Sequence, residues 1–156
     1  MAGRPFHILC VGKLKQAFAI EGTALYRSRL EKWRALSVTE IRDSTLPKEK
    51  MRHDEGLRLK KAMASDAIPF VLDERGQLLT SKALAERIRD LDTGGYGTVT
   101  FIIGGPYGLD ESILKSARML LSLSPMTLPH EMARLVLLEQ LYRAETILRN
   151  TPYHHS

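Results

Sequence analysis

The sequence predicts an α/β fold in which helices cover both faces of a parallel sheet. Four short runs rich in β-branched, aromatic and other apolar residues lie at 6–11, 37–41, 68–72 and 99–103. The segments between them are long enough for helices and carry apolar residues at helical spacing. Strands that alternate with helices form parallel sheets, because each crossover lays a helix on one face. The chain has 156 residues and no internal repeat or long linker, so we expect one domain over residues 1–156.

Helical spacing is clearest in the first and third of these intervening segments. In the first, Tyr26, Leu30 and Trp33 recur at i, i+4 and i+7, and residues 84–91 repeat the pattern in the third. The second segment, 46–63, carries six lysines and arginines against three acidic residues. It predicts a helix with a solvated face, and its charge indicates RNA binding only weakly.

The C-terminal part of the chain is expected to form a short helix, an ordered loop and a long helix. The short helix begins near Asp110, whose side chain can cap free backbone amides. Pro125 and Pro129 supply no amide hydrogen and favour extended geometry in the residues before them. Residues 124–129 therefore predict an ordered loop, and the long helix follows from Glu131.

This long helix has a broad apolar face. Its apolar stripe consists of Leu137, Leu141, Ala144 and Leu148. The stripe is widened at its start by Met132, Leu135, Val136 and Leu138. Glu139 and Arg143, like Glu145 and Arg149, are spaced for i, i+4 ion pairs. The apolar arc is wider than one sheet face needs, so we expect the helix to contact a partner as well.

Positive charge is concentrated near the N-terminus. The net charge is +5, and residues 1–34 hold seven lysines and arginines against two glutamates, so the rest of the chain is balanced. Such a field suits a polyanion such as RNA, because each phosphate contact releases counterions. A solvated helix face explains the charge equally well, and both interpretations stay open.

Composition argues against several classes of protein. No apolar run approaches the roughly 18–20 residues needed to cross a bilayer, so we expect a cytoplasmic protein without a signal peptide or membrane span. The single cysteine, Cys10, lies in an apolar run and is expected to be a buried, inert thiol. The five histidines show no metal-ligand spacing, so no metal is expected.

The run VTFIIGGPYG at 99–108 breaks from strand into a glycine loop, which is where a parallel sheet places ligands. It lacks the lysine and hydroxyl of a phosphate-binding P-loop, and its GGxxG spacing differs from the dinucleotide fingerprint. No GxSxG nucleophile elbow is present. Together with LSPMTLP at 123–129, the loop predicts a backbone-lined slot for an adenine ring and a ribose. The alternative that the glycines only form a tight turn stays open.

Five segments form a more specific combination. They are VGKLK at 11–15, LDERG at 72–76, IIGGPYGL at 102–109, LSLSPMTLPHEMARLVLLEQLYRA at 121–144 and the terminal PYHHS. Together they resemble the bacterial RlmH family, a compact branch of the SPOUT methyltransferases, over nearly the whole chain.

This resemblance implies a methyltransferase that uses S-adenosylmethionine (SAM) to methylate N3 of a pseudouridine in 23S ribosomal RNA, on the assembled ribosome. It also implies a parallel-sheet SPOUT fold with a C-terminal trefoil knot, an exception to ordinary topology, and a homodimer. Matched to the family's motifs, the cofactor contacts fall on Leu72, Gly104, Gly105, Ser124, Pro125, Met126, Thr127, Leu128 and Pro129.

Methyl transfer to N3 requires that this imide nitrogen lose its proton, and the donor must be held in line with it. The resemblance places the tail beside the pocket, so Tyr153 and His154 are the leading candidates to bind or deprotonate the base, with His130 next. Arg143 is a candidate for holding phosphate or the base, or else pairs with Glu139. A frayed terminal residue is the alternative for His154.

One departure from the family concerns the tail, where His155 and Ser156 replace a common Arg or Lys, which puts a tail contact to phosphate in doubt. Two other functions stay open. One is a noncatalytic RNA-binding or ribosome-binding protein with the same fold, which would not need a cofactor slot. The other is an adenosine-nucleotide sensor, disfavoured because no phosphate-binding motif is present.

Overall fold

The structure is a computed structural model that describes residues 3–95 and 97–155. Ser156, part of the predicted tail, lies outside the described residues. The strands are β1 (Phe6–Val11), β2 (Leu36–Ile41), β3 (Ala67–Leu78), β4 (Thr98–Ile103) and β5 (Met119–Ser122). The helices are α1 (Ala17–Leu30), α2 (Lys48–Ala62), α3 (Ser81–Thr93), α4 (Glu111–Ser116) and α5 (His130–Leu148).

All strand pairs in the sheet are parallel, in the order β2-β1-β4-β3-β5. The predicted α/β class with a parallel sheet is therefore confirmed. Side chains alternate between the two faces along each strand, so β1 sends Phe6 and Ile8 to one face and Leu9 and Val11 to the other. α1, α3 and α5 cover the first face, and α2 and α4 cover the second.

The structure departs from the predicted elements in two strands. β5 was not expected, because its Met-Leu-Leu-Ser run is short and its residues do not distinguish a strand from a helix. β3 runs on to Leu78, six residues beyond the predicted end, after a register shift between Leu72 and Gln77. The third predicted strand is therefore the inner part of a longer, interrupted one.

The helix starts follow the local chemistry that the sequence suggests. Asp110 caps α4, because its carboxylate accepts a hydrogen bond from the Ser112 amide at 3.2 Å. α5 begins at His130, one residue before the predicted start and directly after Pro129. Residues 124–129 form the predicted loop, outside helix and strand.

A buried ionic network joins the segment between α1 and β2 to α3 and α5. The Arg34 guanidinium pairs with Glu145 and with Asp92, whose Oδ2 lies 2.8 Å from Nη2. Arg34 also donates to the Arg4 carbonyl at 2.7 Å. Because Arg4 and Arg34 are buried, two of the seven N-terminal cations do not contribute to an exposed positive field.

Cys10 is buried, as predicted, and its burial raises the pKa of the thiol to about 11. In the part of the chain that the structure describes, no helix is both long and apolar enough to cross a membrane.

Candidate functional site

A cavity of about 750 Å³ lies at the carboxyl ends of β3, β4 and β5. Its walls come from the interruption of β3 at 72–74, from the glycine loop at 104–109, from residues 121–129 at and after the end of β5, and from the start of α5. Two cationic side chains of α2, those of Lys48 and Arg52, lie at one edge of the cavity. The volume is in the usual range for small-molecule sites, and the position is the one that open parallel sheets use for ligands.

The glycine loop forms one wall as a tight turn. The Gly108 amide donates to the Gly105 carbonyl at 3.0 Å, with Pro106 and Tyr107 between them. Gly108 has a φ of +85°, which favours glycine. A Cβ on Gly104 would lie 2.8 Å from the Leu109 Cγ, so this glycine is needed for close packing.

The opposite wall begins where β3 is interrupted. Residues 73–76 loop out of register between Leu72 and Gln77, both of which pair with Leu121. Gly76 lies against the Leu120 backbone, where a Cβ would be 2.6 Å from the carbonyl carbon. The first residues of this segment, Asp73 and Glu74, border the cavity.

The loop at 124–129 is held by short-range and cross-cavity hydrogen bonds. Ser122 Oγ donates to the Ser124 carbonyl at 2.9 Å, and the Met126 amide donates to Ser124 Oγ at 2.9 Å. Thr127 Oγ1 donates to Glu74 Oε2 at 3.1 Å, which links this loop to the β3 loop. Met126 is exposed.

The structure brings together most of the residues proposed to contact a cofactor. Those that line the cavity are Leu72, Gly104, Gly105, Ser124, Met126, Thr127, Leu128 and Pro129. Pro125 belongs to the same loop but is not among the lining residues.

Several lining residues were not anticipated. Asp73 and Glu74 follow the predicted end of β3 and lie in the LDERG segment of the family resemblance, but only Leu72 of that segment was proposed as a contact. The Arg75 guanidinium donates to Asp73 at 2.9 Å, and this hydrogen bond lowers the pKa of the Asp73 carboxyl. Lys48 and Arg52 come from α2, which nothing in the sequence linked to the glycine loop.

Of the four residues proposed for catalysis, the structure places only His130 in the wall of this cavity. His130 is the first residue of α5, directly after the loop at 124–129. Arg143 lies thirteen residues further along the helix, about 20 Å away at a rise of about 1.5 Å per residue.

Tyr153, His154 and Arg143 form a separate cluster at the far end of α5. Tyr153 donates to Glu139 Oε2 at 2.8 Å, and Arg143 Nη2 donates to the same oxygen at 2.8 Å. The predicted ion pair of Arg143 with Glu139 is thus present. Arg143 Nη1 lies 3.1 Å from His154 Nδ1, and because a guanidinium only donates, that nitrogen is the acceptor.

The environment of Tyr153 determines its protonation. Burial raises the pKa of its hydroxyl, and hydrogen bonds with Tyr26 and the Glu139 carboxylate raise it further. In this position the Tyr153 hydroxyl is a hydrogen-bond donor to the Glu139 carboxylate. His154 is half-buried and held by Arg143, so it is not a frayed end.

Comparison with known proteins gives three consistent findings. A family model described as "Predicted SPOUT methyltransferase" matches residues 5–154. A protein of Desulfovibrio desulfuricans named Ribosomal RNA large subunit methyltransferase H is 49% identical over 157 residues, covering 99% of this chain and 100% of the relative. A protein of the same name from Nitratidesulfovibrio vulgaris is 45% identical, covering 97% of this chain and 99% of the relative.

Among solved structures, a similar fold occurs in a Legionella pneumophila protein described as a methyltransferase in complex with the cofactor SAM. The TM-score is 0.51 at 16% identity, over 91% of this chain and 67% of that one. At this identity the likeness shows the fold alone.

Proposed function

This chain belongs to the SPOUT methyltransferase family, and we propose that it transfers a methyl group from SAM to N3 of a pseudouridine in large-subunit ribosomal RNA. The observation that carries the proposal is the cavity at the carboxyl ends of β3, β4 and β5. It gathers the glycine loop and the loop at 124–129, both of which match the family's motifs. The names of the two relatives support the RNA substrate. A ribosomal substrate also supports a cytoplasmic location.

The residues around the cavity suit the parts of SAM. Gly104 and Gly105 line the cavity and are close-packed against Leu109 and Val11, so the loop offers its backbone amides and carbonyls to a flat adenine ring. The carboxylates of Asp73 and Glu74 are acceptors for ribose hydroxyls, and their charge favours a cationic sulfonium. The cavity holds no phosphate-binding motif, and none is needed because SAM has no phosphate.

When bound, SAM supplies an activated methyl group, so the protein's part is to position the target base and to remove its proton. N3 is an imide nitrogen, and it must give up its proton as the new bond to carbon forms. A neutral imidazole can accept that proton near physiological pH. Among the residues proposed as the base, His130 is the one that lies in the wall of its own chain's cavity.

The tail reaches a cavity most simply in a homodimer. Tyr153 and His154 lie at the opposite end of α5 from their own chain's cavity, so we infer that they approach the cavity of a second copy. α1, which packs against α5, leaves Phe18 and Leu25 exposed, and a spacing of seven residues puts them on the same side of the helix. An apolar helix face of this kind is suited to burial between two copies.

Calorimetric titration with SAM tests the cofactor assignment. We expect the unaltered protein to bind SAM and Gly105→Val to bind it more weakly, since a Cβ there already lies 3.3 Å from Val11 Cγ1 and further atoms must displace the loop. Ala64→Val, at an exposed position outside the cavity, is the matched control and should bind normally. Failure of the unaltered protein to bind SAM would contradict the proposal and leave the noncatalytic RNA-binding alternative.

A further inference from the structure

Two cations and an aromatic ring stand together at the edge of the cavity. Lys48 and Arg52 come from the first turns of α2, and Tyr107 comes from the glycine turn. The Lys48 Nζ lies 5.0 Å from the centroid of the Tyr107 ring, within range of a cation–π interaction. All three side chains are exposed, and 49% of Tyr107 is accessible. We call these three residues the basic rim.

Helix stability does not explain these cations. The N-terminal end of a helix carries partial positive charge, so cations there are unfavourable. Lys48 and Arg52 are also four residues apart, a spacing at which like charges repel. Neither forms an ion pair within the described residues, whereas Arg58 of the same helix pairs with Asp54 at 3.0 Å. A bound anion would relieve both costs.

The charges of the cavity indicate which part of an RNA lies where. Glu74 in the wall repels a phosphate, and Asp73 is paired with Arg75, so an uncharged base suits the interior better than the RNA backbone does. At the rim, Lys48 and Arg52 attract phosphate, and the Tyr107 ring offers a flat surface for a base. Single-stranded RNA is bound in this way, by cations along the backbone and by stacking on aromatic rings.

We propose that the basic rim binds the RNA strand next to the target nucleotide, with Lys48 and Arg52 on backbone phosphates and Tyr107 stacked on a flanking base. This inference rests on the proposed function and identifies the edge of the cavity across which the RNA strand runs.

Binding of a labelled single-stranded RNA, followed by fluorescence anisotropy over a series of KCl concentrations, tests the rim independently of methyl transfer. For Lys48→Gln combined with Arg52→Gln, we expect the slope of log affinity against log salt to fall by about 1.4, since each lost single-strand contact contributes about 0.7. The control is Lys60→Gln combined with Lys61→Gln, at the exposed far end of α2. It removes the same charge and should keep the normal slope.

Stacking is tested at Tyr107. Tyr107→Phe keeps a flat ring and should bind RNA normally, whereas Tyr107→Leu should weaken binding roughly tenfold. Circular dichroism and the melting temperature of each variant should match those of the unaltered protein, which separates a rim defect from misfolding.

An unchanged salt slope in the Lys48 and Arg52 double variant, or an equal loss in the control, would overturn the proposal. Equal RNA binding by Tyr107→Phe and Tyr107→Leu would show that no base stacks on Tyr107. If the unaltered protein binds RNA through the rim but transfers no methyl group to ribosomes, the proposed function fails while the rim stands.

Discussion

At the scale of single residues, two glycines of the same loop are needed for different reasons. Gly104 has no room for a side chain, because a Cβ would lie 2.8 Å from Leu109 Cγ. Around Gly108 nothing lies within 4 Å of a Cβ, but its φ of +85° is one that other residues rarely adopt. Packing therefore requires a glycine at position 104, whereas backbone conformation requires one at position 108.

This difference predicts how Gly108 responds to substitution. Gly108→Ala should lower the free energy of unfolding by about 1–2 kcal/mol, the usual cost of the left-handed conformation for a residue with a Cβ. Gly108→Asn should lower it less, because asparagine tolerates that conformation better. Urea unfolding at one protein concentration measures both. Equal losses for Ala and Asn would show that the φ of Gly108 is not what limits this position.

At the scale of elements, the Arg34 network ties the segment after α1 to α3 and α5 on one face of the sheet. Burial alone would raise the pKa of Asp92, but the hydrogen bonds from the Arg34 side chain and the Arg4 amide outweigh it and leave this pKa below its usual range. Glu145 is buried beside the same guanidinium. Removing Arg34 would leave that carboxylate only the more exposed Arg149 as a partner, at 3.2 Å, at a cost of up to about 3–5 kcal/mol.

The lowered pKa of Asp92 gives a pH dependence with a defined sign. Its stabilising effect is complete above the ordinary aspartate value of about 3.9 and is lost as pH falls through the lower folded value. We expect Asp92→Asn to reduce the loss of stability between about pH 5 and pH 3, measured by thermal melting. The control is Asp90→Asn, at an exposed position on the same helix. If Asp92→Asn lost as much thermal stability at acid pH as the unaltered protein does, this role of Asp92 would be contradicted.

At the scale of the whole molecule, the distance between His130 and the tail cluster bears on assembly. If each cavity takes its tail from a second copy, Tyr153→Ala and Gly105→Val should each lose methyl transfer, yet a mixture should regain activity. Random exchange makes half of the dimers mixed, each with one intact site, so about a quarter of the sites are restored. Tagged subunits and native mass spectrometry show whether mixed dimers form. Mixed dimers without activity would contradict a shared site.

The sequence predicts the parts of this molecule that depend on local pattern. Four strand cores and the cap at Asp110 follow from spacing and side-chain chemistry, and the family's motifs single out the loop at 124–129. The hydrogen bond between Thr127 and Glu74, and the position of Lys48 beside Tyr107, join segments more than fifty residues apart. No periodicity reports such contacts. The trefoil knot and the single-domain organisation stay predictions.

The most direct test of the central claim is mass mapping of ribosomal RNA from a strain in which the gene is deleted. We expect one pseudouridine-containing fragment of the large-subunit RNA to lack a methyl group and to regain it when the unaltered gene is restored. Restoring Gly105→Val instead should leave most of that fragment unmethylated. A fully methylated fragment in the deletion strain, or none after the unaltered gene is restored, would contradict the assignment of this chain as the pseudouridine methyltransferase.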